Sequence, residues 1–295
     1  MTFTLCLNSS NVLQGTNNSS FRFNFANGGF TAKDAQICIS TLTVPYSFFN
    51  ISSAYNNNKF TLTFPTSLSD SPLGVYNNLQ KNVSVVLPDG FYSVTDLQNY
   101  IQTVCISNAM YLIDSAGSYV FYTFLTYSPT YYAVQLVQTQ VPLSLPAGWS
   151  LPPSGWSGFS ATTSYTPTLF LPAVGSISPI IGFAPNTTYP VLGTATNVNF
   201  LSTLTPQGST VNSLIARCSL VNNPISTPSD IMDGIAINTT FGANIIFDPS
   251  FEHFVDIRNG TYTSLTFTIV DQNLNQIVAL DSNVSIVLMI RQKIL

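Results

Sequence analysis

Acid–base catalysis and metal binding draw on His, Cys and paired carboxylates, and this chain holds little of each. Its 295 residues contain one histidine, His253, and four cysteines. His253 stands in the run Phe251-Glu252-His253-Phe254, with Asp248 and Asp256 close in sequence. These side chains could form a small metal or acid–base site. No second His follows at helical spacing and H-E-x-x-H is absent, so a solvated turn is the simpler reading. Asp271 and Asp281 bracket a loop and could offer oxygens to calcium, but without the ligand spacing of an EF-hand. Cys6, Cys38, Cys105 and Cys218 are far apart and form no C-x-x-C pair, which excludes an ordinary zinc finger. They are expected as buried, reduced thiols. G-x-S-x-G, P-loop and G-x-G-x-x-G signatures do not occur. Eight Lys and Arg are spread along the chain and make no basic patch for nucleic acid, Arg22 between Phe21 and Phe23 being the nearest approach. These residue types imply a protein that is not an enzyme and needs no cofactor or metal.

Whatever positions these few groups is built from uncharged residues. Hydrophobic residues make up 45% of the chain and aromatics 13%, enough for a sizeable core. Charged residues make up 7%, against about 25% in a typical soluble domain, and the net charge is −4. Between Asp114 and Arg217 there is no Asp, Glu, Lys, Arg or His. So long a neutral span on a free monomer would be poorly soluble, so much of that surface is expected to meet other protein. The competing explanation is a surface wetted by its abundant Ser, Thr, Asn and Gln. No apolar run is long enough for a transmembrane helix. The opening residues MTFTLCLNSS lack a basic and then apolar signal pattern, so no export signal is expected.

One stretch reads as a helix, Leu87 to Asn108. Pro88-Asp89-Gly90 is turn chemistry, Ser93 is a good N-cap, and Asp96 completes a capping-box pair. Val94, Leu97, Ile101, Val104 and Cys105 then recur on one face, with Gln98, Asn99, Gln102 and Thr103 away from it. That stripe is expected to seal one end of a sandwich. Most of the rest alternates as strands. The clearest are Ala35–Tyr46, with Ile37, Ile39 and Thr41 on one face, Lys59–Phe64, Val211–Val221, Gly260–Val270 and Val284–Arg291. Ser115-Ala116-Gly117 marks a hairpin between Met110–Asp114 and Tyr119–Tyr127, and Tyr131–Val141 extends it into a meander. Many short strands and no long sequence period point to an all-β sandwich or barrel.

Residues 142–175 differ in character, with six prolines and both tryptophans, Trp149 and Trp156. Exposed Trp in a neutral loop would mark an interface. A loop folded back with Trp in the core fits equally. Trp149, Trp156, Tyr127, Tyr131 and Tyr132 are the candidate subunit-interface residues. In a different class of protein, a carbohydrate-binding or host-attachment module, the same aromatics would be sugar-stacking platforms.

Five stretches in order carry a resemblance: NNNKFTLTF at 56–64, LPDGFYSVTDLQNYIQ at 87–102, IIGFAP at 180–185, NSLIARCSLVNN at 212–223 and VDQNLNQIVALDSNVSIVLMIR at 270–291. They are similar to stretches of the minor capsid, or penton, proteins of virophages and polinton-like viruses. The resemblance spans most of the chain and is loosest across residues 142–175. It implies a single jelly-roll β-sandwich over residues 1–295, two four-stranded sheets face to face, with a loop or small insertion at about 142–175. It also implies a homopentamer at icosahedral fivefold vertices, contact with the double-jelly-roll major capsid protein, and a place in the virion assembled inside the host cell. No catalytic residue carries over, since the family's role is structural.

Overall fold

The computed structural model describes residues 2–26, 28–65, 80–142, 144–153 and 165–293. Contacts divide the chain into two compact units, Met1–Phe49 with Val211–Leu295, and Asn50–Thr210. The first unit begins with β1 (Thr2–Leu7), β2 (Ser20–Asn24), β3 (Phe30–Ala32) and β4 (Ala35–Pro45). The second contains β5 (Lys59–Pro65), β6 (Gln80–Val86), α1 (Val94–Ser107), β7 (Leu112–Ile113), β8 (Tyr119–Val120), β9 (Thr123–Ser128) and β10 (Ala133–Gln138). It continues through β11 (Thr168–Leu171), α2 (Ser178–Ile181), β12 (Thr187–Tyr189) and β13 (Val198–Leu201). The chain then completes the first unit with β14 (Ser213–Cys218), β15 (Ile231–Ala236), β16 (Asn244–Phe247), β17 (Val255–Asp256), β18 (Gly260–Tyr262), β19 (Ser264–Asp271) and β20 (Ser285–Gln292). Residues 142–175 all fall inside the second unit.

Eight strands of the first unit pair as a nested set. β1 pairs with β20, β2 with β19, β4 with β16 and β14 with β15, every pair antiparallel. The further pairs β4–β20 and β14–β19 join them into two sheets, β1-β20-β4-β16 and β15-β14-β19-β2. First with last and inward from there is the winding of a jelly roll. Alternate residues of both sheets are buried, among them Ile286, Leu288 and Ile290 on β20 and Leu265, Phe267 and Ile269 on β19. The second unit is inserted in sequence between the third and fourth strands of this set.

β4 departs from simple alternation. Opposite it, Val287 pairs with Thr41 but the next residue, Leu288, pairs with Ile39, so Ser40 is extra. A bulge of one residue reverses the face taken by everything beyond it. Leu42 and Val44 therefore join Ile37 and Ile39 as buried residues, and Thr41 does not share their buried face.

The second unit has its own core. Sheets β12-β11-β5-β6 and β13-β10-β9 contribute Phe60, Leu62, Leu125, Leu136 and Leu169 to it. α1 lays Leu97, Ile101 and Cys105 into the same cluster. The helix therefore serves the core of residues 50–210, not the end of the jelly roll as its sequence suggested. Its capping box is formed: Ser93 Oγ accepts from the Asp96 amide at 3.1 Å, and the Ser93 amide donates to the Asp96 carboxylate at 2.9 Å. Hydrogen bonds from Ser93 hold the Asp96 carboxyl below the usual carboxylate range.

Gln98 is not the solvent-facing residue that its helical position suggests. Its Oε1 accepts the Leu125 amide at 2.6 Å. β9 is an edge strand of its sheet, and edge amides left without a partner are a liability. The helix supplies that partner through one glutamine. Gln98→Ala should thus lower stability by about 1–3 kcal/mol, the cost of orphaning a shielded donor. Gln102→Ala, on a residue with no such bond among the described residues, should stay within about 0.5 kcal/mol. Equal melting temperatures for the two variants would refute this role.

Candidate interface and ligand-binding surfaces

Tyr127 lies on β9, and Tyr131 and Tyr132 lie in the turn that leads to β10. The turn closes through the Tyr131 amide to Ser128 O and the Tyr132 amide to Pro129 O, both 3.3 Å. Tyr132 has φ +47°, in the left-handed region. The three side chains are 45%, 70% and 62% exposed. The Tyr127 and Tyr132 rings meet edge to face, 6.2 Å between centroids. Trp149 is placed differently, half-buried against the core of the second unit. Trp156 lies outside the described residues.

Tyr127 and Tyr132 border a slot of about 270 Å³ whose other walls include Phe91, Tyr92, Ile180 and Pro206. One wall is the strap Leu204-Thr205-Pro206-Gln207-Gly208. The Leu204 amide donates to Gly182 O at 2.9 Å, and the Gln207 amide donates to Pro179 O at 2.8 Å. Gly182, at φ +73°, ends α2 in the left-handed region. A Cβ there would stand 2.3 Å from Leu204 O, so only glycine admits the strap. At its far end the strap is held by Asn50, whose Nδ2 donates to Gly208 O at 2.7 Å. The same Nδ2 donates to Tyr92 O at 2.9 Å, and Asn50 Oδ1 accepts the Tyr92 amide at 2.8 Å. Asn50 is fully buried, so these bonds form where water does not compete.

Thr205 and Gln207 line a second cavity of about 550 Å³, with Tyr55, Asn56, Val174 and Ser176 among its other walls. Neither cavity has a charged side chain in its lining among the described residues. The sequence carried faint signals of this region, the Asn56-Asn57-Asn58 turn and the Pro206-Gln207-Gly208 turn pattern. It carried none that the two would share a cavity.

The residues that could have done acid–base or metal chemistry are not gathered. His253 is 61% exposed, and its Nδ1 is 3.8 Å from Asp233, not from Asp256. Asp256 instead accepts from Lys293 Nζ at 2.8 Å and Gln36 Nε2 at 2.9 Å. Those hydrogen bonds, Lys293 first, hold its carboxyl below the usual range. Asp271 spends one oxygen on the amides of Asn273 and Asn275, and Asp281 accepts the amide of Asn283. Among the described residues no three His, Cys, Asp or Glu groups converge as metal ligands would.

The cysteines are free, but they are not all buried as expected. Leu5 and Leu7 take the inner positions of β1, and alternation turns Cys6 outward. Burial raises the Cys38 thiol to about 11, with the charge of Glu252 adding to it, and raises Cys105 and Cys218 to about 12. Because the thiolate is the reactive form, one thiol should react rapidly with Ellman's reagent in the native protein. All four should react in denaturant, and Cys6→Ser should abolish the fast phase. Comparable native rates at Cys105 or Cys218 would contradict the buried assignment.

No protein-family model matches the chain, and no curated protein matches it either. Among solved structures it is similar to the crystal structure of the mavirus penton protein, at 8% identity and a TM-score of 0.46. That match covers 99% of this chain and 100% of the other. It is also similar to a chain of the Sputnik virophage structure from cryo-EM, at 11% identity and a TM-score of 0.40, covering 99% of this chain and 98% of that one. No helix among the described residues is long and apolar enough to cross a membrane.

Proposed function

We propose that this chain is a structural capsid subunit, a penton protein. Five copies close a ring at each icosahedral fivefold vertex and contact a major capsid protein around it. In this reading residues 2–45 and 213–292 are the capsid-forming jelly roll. Residues 50–210 are a second domain carried between its third and fourth strands. The observation that carries the proposal is the nested pairing of eight strands, an architecture used for capsid shells. The five stretches that resemble penton proteins in order point the same way, as does the absence of Asp, Glu, Lys, Arg and His between Asp114 and Arg217. The virion vertex, reached by assembly inside the host cell, is the place that follows.

A fivefold ring is closed by heterologous contacts, one flank of a subunit meeting the opposite flank of the next. Neutral aromatic surface suits such a contact, because buried unpaired charge is unfavourable. Tyr127, Tyr131 and Tyr132 are exposed residues of this kind. Trp149 and Trp156 complete the interface set of this proposal. Electron microscopy of purified protein and of intact particles tests it, with pentameric rings and vertex density as the expected result. Placement in three-fold capsomers would remove the penton assignment. Tyr131→Lys should leave the melting temperature of the subunit unchanged, since the side chain is 70% exposed, and should reduce ring formation at least tenfold.

A further inference from the structure

One concavity of the second unit has a lining of a particular kind. Asn56, Thr205 and Gln207 offer two amides and a hydroxyl, and Ser176 and Ser178 lie in its wall. Tyr55 and Phe183 contribute aromatic surface, and Val174 and Leu204 an apolar rim, 71% and 52% exposed. Among the described residues, the side chains of Asn56, Thr205 and Gln207 make no hydrogen bond to the protein itself, whereas Asn57 accepts the Ser52 amide and donates to Asn50 O. The cavity is also held open by its backbone. Gly175, at φ +80°, takes a conformation that L side chains rarely adopt, and a Cβ there would press Asn56 Oδ1 at 3.0 Å and Lys59 Cδ at 3.1 Å. The Gly175 carbonyl accepts the Lys59 amide at 2.7 Å, which fixes this wall to β5. The strap with Thr205 and Gln207 is fixed in turn by Gly182 and Pro179.

Such a lining selects a ligand class. No charged side chain is in the lining, Lys59 standing beside Gly175 outside it, so the lining itself offers no ionic partner to a phosphate, a carboxylate or a metal ion. The Ser176 and Ser178 hydroxyls bond each other, but the amides of Asn56 and Gln207 and the hydroxyl of Thr205 would be left unpaired under a hydrocarbon chain, which disfavours one. Neutral donors and acceptors beside aromatic and aliphatic surface match a neutral sugar, which has hydroxyls on its edge and C–H groups on its face. A volume of about 550 Å³ takes a short oligosaccharide more naturally than one hexose. We propose that the cavity bounded by Asn56, Gly175 and the strap 204–208 is a binding site for neutral oligosaccharide. The site is separate from the Tyr127–Tyr132 slot, and it does not rest on the capsid reading.

The test is saturation-transfer NMR, backed by a glycan array, on the full chain with neutral di- and trisaccharides of hexose and N-acetylhexosamine and with sialylated and sulfated counterparts. Neutral members should bind. Gln207→Ala and Asn56→Gly should each weaken that binding at least tenfold. The second variant keeps the positive φ of Asn56 available, and both should melt as the unaltered protein does. Tyr131→Ala, outside the cavity, should leave sugar binding intact. Absence of any neutral ligand at millimolar concentration, binding of acidic glycans alone, or neutral binding untouched by both cavity variants would each overturn the site. Ring formation read on the same samples reports on the capsid role independently.

Discussion

Leu97→Ala should lower the melting temperature of the second unit sharply and remove about 2–5 kcal/mol of its stability. Leu97 is 1% exposed and lies one turn from Ile101, itself fully buried, in the cluster that holds Phe60, Leu62 and Leu125. Truncation removes the transfer energy of the side chain and leaves a cavity in that cluster. A loss of this size is a large share of a domain's total stability, so soluble yield should fall too. Ile106 is the internal control, because it belongs to the same helix but is 43% exposed. Ile106→Ala should change stability by about 0.5 kcal/mol or less. If α1 were a partner-binding element, the order would reverse: Leu97→Ala would leave the melt unchanged and reduce only assembly. Thermal unfolding and particle assembly measured on both variants separate the two cases.

Asn50→Ala should be comparably damaging, although it removes no apolar contact. The side chain makes three hydrogen bonds, to Tyr92 O, to Gly208 O and from the Tyr92 amide. Their loss orphans backbone groups on two segments, the entry to α1 and the end of the strap. At about 1–1.5 kcal/mol each, with a further penalty where no water reaches the orphaned group, the total is about 3–5 kcal/mol. Hydrogen exchange should rise first at Tyr92 and across residues 204–208. Asn50→Asp should be worse at neutral pH, since a carboxylate would face the carbonyls of Tyr92 and Gly208 and donate to neither. Burial and those carbonyls would raise the pKa of the introduced carboxyl, so the protonated, donating form gains population as pH falls. Stability of that variant should therefore recover partly in mild acid, before general acid unfolding. An unaltered melt for Asn50→Ala would show that the strap is held by its other two bonds alone.

The sequence by itself determined those features that depend on neighbours a few residues apart. The capping box of Ser93 and Asp96 and the stripe of Leu97, Ile101 and Cys105 are set by helical spacing, and they are in the structure as read. The all-β character follows from alternation in runs such as Thr2–Leu7 and Val284–Arg291. The scarcity of His and paired acids is a matter of composition. What alternation cannot carry is the choice of partner strand. Thr2 pairs with Arg291 and Ser20 with Thr268, across nearly the whole chain, and many strands of similar pattern were available to each. Tertiary pairing decided the jelly-roll nesting, and with it the assignment of α1 to an inserted unit with its own core. It also decided the details on which a single residue turns. The extra residue Ser40 shifts the phase of β4, and an unpaired edge amide of β9 draws Gln98 inward. Asn50, Pro179 and Gly182 are brought to the strap 204–208 from two distant stretches because buried backbone groups must find partners wherever the chain supplies them. That requirement is met only when the whole unit closes, which is why no local pattern announced the cavity beside it.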